Sequence, residues 1–488
     1  MPTVRPARPP SFDISLAVWL AAPLAVLLAT LLSITPARAQ SPYAQRFDVP
    51  RLTALGRSIF FDAELSPSGA ISCASCHDPK HAYGPPDADV LHLSFRAAPS
   101  LRYLNSLPPF SEHTFDNDLD EGSDLGPTGG HTWDGRVSSA HEQARLPLLS
   151  PDEMGGPTAG AVVARLRAAP YAAQLRALFG ADVFDRPERA FEAALMALEV
   201  FQQSPADFYP FSSRYDAMLR GRGTLSAQEL RGLALFNDPA KGNCASCHLS
   251  SIRPDGAFPL FTDFGHIAIG VPRNPAIKAN ADPAFVDLGL CGPLRTDLAD
   301  HADDCGRFRA PSLRNVALRQ RFFHNGAIRS LEDAVRFYVQ RDTDPARWYG
   351  AAGALDELPA RYRANLNTDP PFGGHPGDAP ALTEAEIADV VAFLETLTDA
   401  DQLAHRTARS AGPEVARHDG SFDPRRECGH AQYPRRRCNR SSRACSTPTS
   451  TSSRCGRRCC TATRRPRPST PSCAATSRPT RSWSCWPT

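Results

Sequence analysis

The sequence predicts a mostly α-helical chain made of two tandem copies of one plan. Three observations predict it. The pentapeptide Cys-Ala-Ser-Cys-His occurs twice, at residues 73–77 and 244–248. Each copy follows a short helical pattern and precedes the same blocks in the same order, the mark of an internal repeat. Ala- and Leu-rich helices close each half.

In chain order, helical patterns over 52–61 and 225–236 lead into the two pentapeptides, the second opening with a capping box of Ser226 and Glu229. A Phe-Arg-Ala-(Ala)-Pro-Ser-Leu-Arg block follows at 95–102 and again at 308–314. Next, Trp133-Asp134-Gly135-Arg136 beside Glu142-Gln143-Ala144 matches His324-Asn325-Gly326 beside Glu332-Asp333-Ala334. Helices over 158–179 and 187–203 end the first half, and one over 383–397, capped by Thr383 and Glu386, ends the second. This division gives units at 40–205 and 206–402, each large enough for its own core, with a linker near 204–209.

The ends read differently. Arg5 and Arg8, an apolar run over 16–32 and Ala37-Arg38-Ala39 make residues 1–39 a secretory signal peptide. The run is long enough that an uncleaved membrane anchor is the rival reading. Either way the functional part lies outside the cytoplasm, and a cleaved signal makes it periplasmic. Residues 403–488 hold eight of the 14 Cys and 18 Arg but no Lys, set among Ser, Thr and Pro. Such a tail cannot bury a core, and it reads as disordered or as the product of a shifted reading frame. Residues 40–402 carry 33 Lys and Arg against 47 Asp and Glu, a balance that argues against nucleic acid or an anionic membrane surface as partner.

The spacing C-x-x-C-H is how haem is attached covalently: two thiols add to the vinyl groups and the adjacent imidazole ligates iron. Zinc and a thioredoxin-like redox pair are the alternatives. Two copies offer four Cys and two His, more than one tetrahedral site takes, and neither copy follows a βαβ pattern. Cys73, Cys76 and His77 therefore hold one haem, and Cys244, Cys247 and His248 a second. The fold class becomes two tandem cytochrome c-like helical domains, each with one covalently bound haem c. The remaining pair before the tail, Cys291 and Cys305, reads as a structural disulfide in an oxidising compartment.

Reactivity then depends on the distal side of each iron. All four Met residues (Met1, Met154, Met196, Met218) precede the second pentapeptide, so the second haem has no downstream Met of the kind an electron carrier uses. If Trp133 and His324 are equivalent, the residues fourteen further on are Pro147 and Tyr338. Proline cannot ligate iron, whereas a tyrosine phenolate can. Taken alone, Tyr338 also reads as a core tyrosine, and His266 and His375 remain rival ligands.

Over nearly all of 45–400 the chain resembles the bacterial dihaem cytochrome c peroxidase family and, within it, the MauG-like branch. The resemblance rests on the two CxxCH motifs, WDGR, Gln-Ala followed by Pro-x-Glu-Met, P-S-L-R-N-V-A, H-N-G and the closing helix. Residues 337–345, FYVQRDTDP, look like the MbnH group. The resemblance implies that Trp133 lies between the haems and that Glu153 is the distal carboxylate handling peroxide protons. It also implies that Gln143 and Pro147 line the distal pocket and that Tyr338 ligates the second iron. Without it, Glu153 would be a surface acid and Trp133 a core side chain. The resemblance further implies an interdomain calcium, but Ala97 stands where the family has Asn, and the second-domain segment reads Arg319-Gln320-Arg321. No His clearly closes the first haem, although His92, His113 and His131 are nearby, so that haem is expected to be five-coordinate.

The expected activity is peroxide-driven oxidation of residues on a partner protein. The alternatives are a peroxidase detoxifying hydrogen peroxide with electrons from a small cytochrome or cupredoxin, and a non-enzymatic electron carrier.

Overall fold

The computed structural model describes residues 47–86, 95–114, 126–350, 353 and 355–404, all within one compact unit, Met1–Val415. The signal segment, His92 and the tail beyond 404 lie outside the described residues. In the first half α1 (Val49–Phe60) leads, and α2 (Ala140–Leu149), α3 (Ala159–Ala168), α4 (Ala172–Phe179) and α5 (Pro187–Gln202) follow. In the second, α6 (Arg214–Leu219) and α7 (Ala227–Asn237) lead, followed by α8 (Leu331–Gln340) and α9 (Glu384–Glu395). The described sheet is one small antiparallel pair, β1 (His266–Ile267) and β2 (Phe308–Arg309). Among the described residues no helix is long and apolar enough to cross a membrane.

Each half is held by the same crossing of a leading helix over a closing one. A Cβ at Gly56 of α1 would lie 1.9 Å from the Ala197 carbonyl oxygen of α5, and one at Gly232 of α7 would lie 1.9 Å from that of Asp389 in α9. Only glycine lets the backbones come this close. Aromatic rings pack edge-on beside each crossing: Phe60 against Tyr83 and Phe201, and Phe236 against Phe261 and Phe393. Two separate apolar cores result, one reaching from Leu52 to Phe208 and the other from Tyr215 to Leu397.

The capping boxes at Ser226 with Glu229 and Thr383 with Glu386 both form. The helix expected over 158–179 is instead two, because Pro170 forces Ala169 into an extended conformation that ends α3. The linker is packed rather than loose. Phe208 is buried in the first core, and Asp207 accepts hydrogen bonds from the Tyr83 hydroxyl (2.8 Å) and Arg57 (3.0 Å).

The halves grip each other reciprocally. The Ala97 amide donates to the His324 carbonyl at 2.7 Å, and the Arg309 amide donates to the Trp133 carbonyl at 2.9 Å. Trp133 and His324 therefore sit in matching places, each inside a matching short bridge, His131 with Val137 and Phe322 with Ile328. The helices that follow start in register, N-capped by Ser139 and Ser330. Pro147 and Tyr338 are thus the same position, the eighth residue of α2 and of α8.

Candidate active site

The second half encloses an apolar cavity whose space, counting its open mouth, is about 1330 Å³. Cys244, Cys247 and His248 line one side, and Tyr338 also lines it. His248 Nδ1 donates to the Phe261 carbonyl at 2.8 Å, which leaves Nε2 free as a ligand, and burial lowers its pKa so that the ring is neutral.

Two arginines on this wall have buried nitrogens without partners: Nη1 of Arg309 and Nη2 of Arg319. Burial pushes both guanidinium groups down to about 10. An unpaired buried charge costs roughly several kcal/mol, so the cavity calls for an anion at its edge. A large flat apolar body carrying carboxylates, covalently reachable by two thiols, is haem. The residues fit it.

The first site repeats the proximal arrangement. A short helical turn, Cys73–Cys76, presents the thiols. The Tyr83 carbonyl accepts a hydrogen bond from His77 Nδ1 at 3.1 Å, with the Pro99 carbonyl nearby, and burial pushes the ring's pKa down to about 4. Burial raises Cys73 to about 12 and Cys76 to about 11, the opposite of the acidic thiols of a redox C-x-x-C pair.

Glu153 acts electrostatically on both thiols, so the structure brings it to this site. The turn that carries it folds back beneath α2: the Met154 amide donates to the Pro147 carbonyl at 3.1 Å, and the Gly156 amide to that of Leu148 at 3.0 Å. Desolvation raises the Glu153 pKa, and the Arg136 charge opposes that shift. Gln143 and Pro147 stand one helical turn apart on the same face of α2.

Trp133 is 6% exposed and lines the second cavity. Its indole Nε1 donates to the Ala97 carbonyl at 2.7 Å, two residues from the Pro99 carbonyl that meets His77. The indole thus lies against the chain segment that joins the two sites.

Tyr338 packs on Phe323 and Phe372 at 5.8 and 5.6 Å between ring centroids and lines the same cavity as Cys244 and Cys247. Burial raises its pKa well above the ordinary phenol value, so it ionises there only beside a compensating positive charge such as a metal ion. The rival ligands are elsewhere. The His375 side chain is 88% exposed and sits 3.4 Å from Asp378, and His266 is buried against Phe110 rather than lining the cavity.

The calcium that the resemblance implies would lose its Asn ligand at Ala97. Among the described residues no group of three or more His, Cys, Asp or Glu is placed to hold a metal. Ala97 has no side-chain oxygen, and its amide and carbonyl are taken by His324 and Trp133. Cys291 and Cys305 form a disulfide with their Cα atoms 5.0 Å apart.

The roles of Arg309 and Arg319 escaped sequence reasoning. Both sit in or beside the repeated Pro-Ser-Leu block, and no local pattern separates them from Arg314, which pairs with the distant Asp216.

A family model described as di-haem cytochrome c peroxidase matches residues 50–224. The methylamine utilization protein MauG of Paracoccus denitrificans is 34% identical over 405 residues, covering 78% of this chain and 94% of that protein. Among solved structures, the diheme peroxidase BthA of Burkholderia thailandensis is 42% identical with a TM-score of 0.66, covering 73% of this chain and 88% of that one. A MauG-like protein associated with microbial copper homeostasis is 26% identical with a TM-score of 0.53, covering 76% and 96%. With paired CxxCH sites, a helical duplication and these relatives, the chain belongs to the di-haem cytochrome c peroxidase family, in its MauG-like branch, and is an oxidoreductase.

Proposed function

We propose that this chain is a periplasmic dihaem c-type enzyme that reduces hydrogen peroxide at an open first site and draws the electrons from residues of a partner protein through a Tyr-ligated second site. In this reading residues 40–205 form the peroxidatic domain and 206–402 the electron-transfer domain. One observation carries it: equivalent helix positions hold Pro147, which cannot bind iron, and Tyr338, which can.

When bound, the haems supply a peroxide-binding iron and one-electron redox chemistry. The chain's residues do the rest. Glu153, as carboxylate, takes the proton from the near peroxide oxygen and returns it to the far one, so that the O–O bond breaks with water leaving. Arg136 beside it favours the carboxylate that starts this transfer. Gln143 and Pro147 shape the space above, and Pro147 offers no donor that could block it. Reducing one peroxide to two waters takes two electrons and two protons. Trp133, oxidisable and held by its bond to Ala97, shortens the path between the sites. Tyr338, as phenolate, would hold the second haem's iron and would favour its oxidised form.

Spectroscopy of the oxidised protein tests this: a high-spin haem together with a low-spin haem bearing an oxygen ligand is the expected result. Tyr338→Met should raise the potential of the second haem; an unchanged potential removes Tyr338 from the iron. Rapid peroxide-dependent oxidation of a small cytochrome or cupredoxin, with no modification of a protein partner, would instead indicate a detoxifying peroxidase.

A further inference from the structure

We propose that the Arg319 guanidinium is the resident cation between the two haem sites, binding a haem carboxylate and taking the place of the calcium that the resemblance implies. The inference rests on both CxxCH motifs carrying haem, and it adds a binding group and excludes a metal.

Arg319 belongs to both sites. It lines the large cavity with His248, and it also lines a small cleft with His81, Ala82, Gly84 and Ser100 of the first half. Its charge reaches His77. The segment is fixed across the junction: Arg319 Nε donates to the Arg321 carbonyl at 3.2 Å, and Gln320 Nε2 donates to the Pro86 carbonyl at 3.1 Å. The guanidinium is therefore held in place while its Nη2 faces no acceptor.

The surroundings say what that acceptor must be. Neither the cavity nor the cleft is lined by a single Asp or Glu. The neighbouring cation in the cleft, Arg314, is already matched by two hydrogen bonds of 2.9 Å to Asp216. A buried guanidinium aimed at a ligand cavity without protein acids takes its anion from the ligand, and a planar fork suits a carboxylate. A divalent cation in the same place would meet the fixed Arg319 charge, and the Asn side-chain oxygen that the resemblance puts on calcium is replaced by Ala97.

The test uses the purified dihaem protein. Metal analysis is expected to find calcium far below one per chain, and dialysis against EGTA should leave both haem spectra and both midpoint potentials unchanged. Arg319→Gln should lower the midpoint potential of at least one haem, because loss of a nearby positive charge favours the oxidised form, and Arg319→Lys should restore most of the shift. Stoichiometric calcium whose removal alters the haem spectra would overturn the assignment, as would Arg319→Gln potentials equal to those of the parent. The metal and chelator measurements decide the matter even where the variants fold poorly. Two haems per chain together with tightly bound calcium defeats the Arg319 assignment alone, whereas motifs without covalent haem defeat the premise as well.

Discussion

The first and second halves share a glycine-gated helix crossing, a CxxCH turn with its imidazole bonded to a backbone carbonyl, and a capped helix over the site. They part company in side chains set on matching backbone. Pro147 faces Tyr338 across the repeat, Trp133 faces His324, and Ala97 faces Arg309. The shared scaffold presents a CxxCH turn in each half, and in the proposed reading a few substitutions decide which site meets peroxide and which conducts. The segment after each helix also carries acids: Glu153 follows α2 in the first half, and Asp342, held by Arg341 at 2.7 Å, and Asp344 follow α8 in the second.

The sharpest way to break the comparison is to remove the first-half acid. Glu153→Gln should lower peroxide turnover by roughly 10²–10⁴-fold, the usual worth of a placed acid/base group, while the spectrum of the second haem stays as it was. Stopped-flow reduction of peroxide checks it, and a loss below tenfold would take the proton transfer away from Glu153.

Next in size is the shared crossing. Gly56→Ala and Gly232→Ala each force a Cβ to within 1.9 Å of a carbonyl oxygen, so each should destabilise the fold by about 3 kcal/mol, seen in thermal or denaturant unfolding. Equal losses in the two variants would support equal scaffolds. A neutral result at either glycine would show that the helices can separate there.

A smaller effect is expected at the bridge. Trp133→Phe leaves the buried Ala97 carbonyl without its donor, costing about 1–3 kcal/mol of stability. It should also slow electron exchange between the haems while leaving peroxide binding intact. Unchanged exchange in a folded variant would place the electron path elsewhere.

The smallest effect is in pH. Desolvation holds the Glu153 carboxyl protonated to higher pH than an ordinary glutamate, whose pKa is about 4.3. Activity that needs the carboxylate should therefore fall, on acidification, at a pH above that value. Stability runs the other way. The contribution of this raised acid is complete below its unfolded pKa and is lost as pH rises through the folded one. Glu153→Gln should abolish both trends.

Much of this was legible in the sequence because local chemistry dictates it. The two pentapeptides, the capping residues Ser226 and Thr383, and the spacing from Trp133 to Pro147 and from His324 to Tyr338 are short-range patterns. They survive folding unchanged. The break of 158–179 at Pro170 was also written there, and the Ala-rich periodicity masked it. What the sequence concealed is long-range. No spacing rule joins the Ala97 amide to His324 or Arg309 to Trp133. Nor could composition show that Arg319, one of many arginines, reaches both cavities without an acid beside it.

In the proposed reading the first site is open and the second is sealed by Tyr338. Titrating the ferric protein with cyanide, and counting bound ligand by absorbance and electron paramagnetic resonance, tests it most directly. The expected result is one cyanide per chain, bound at the haem of His77, and two per chain in Tyr338→Ala. Two in the parent protein, or none, would contradict it.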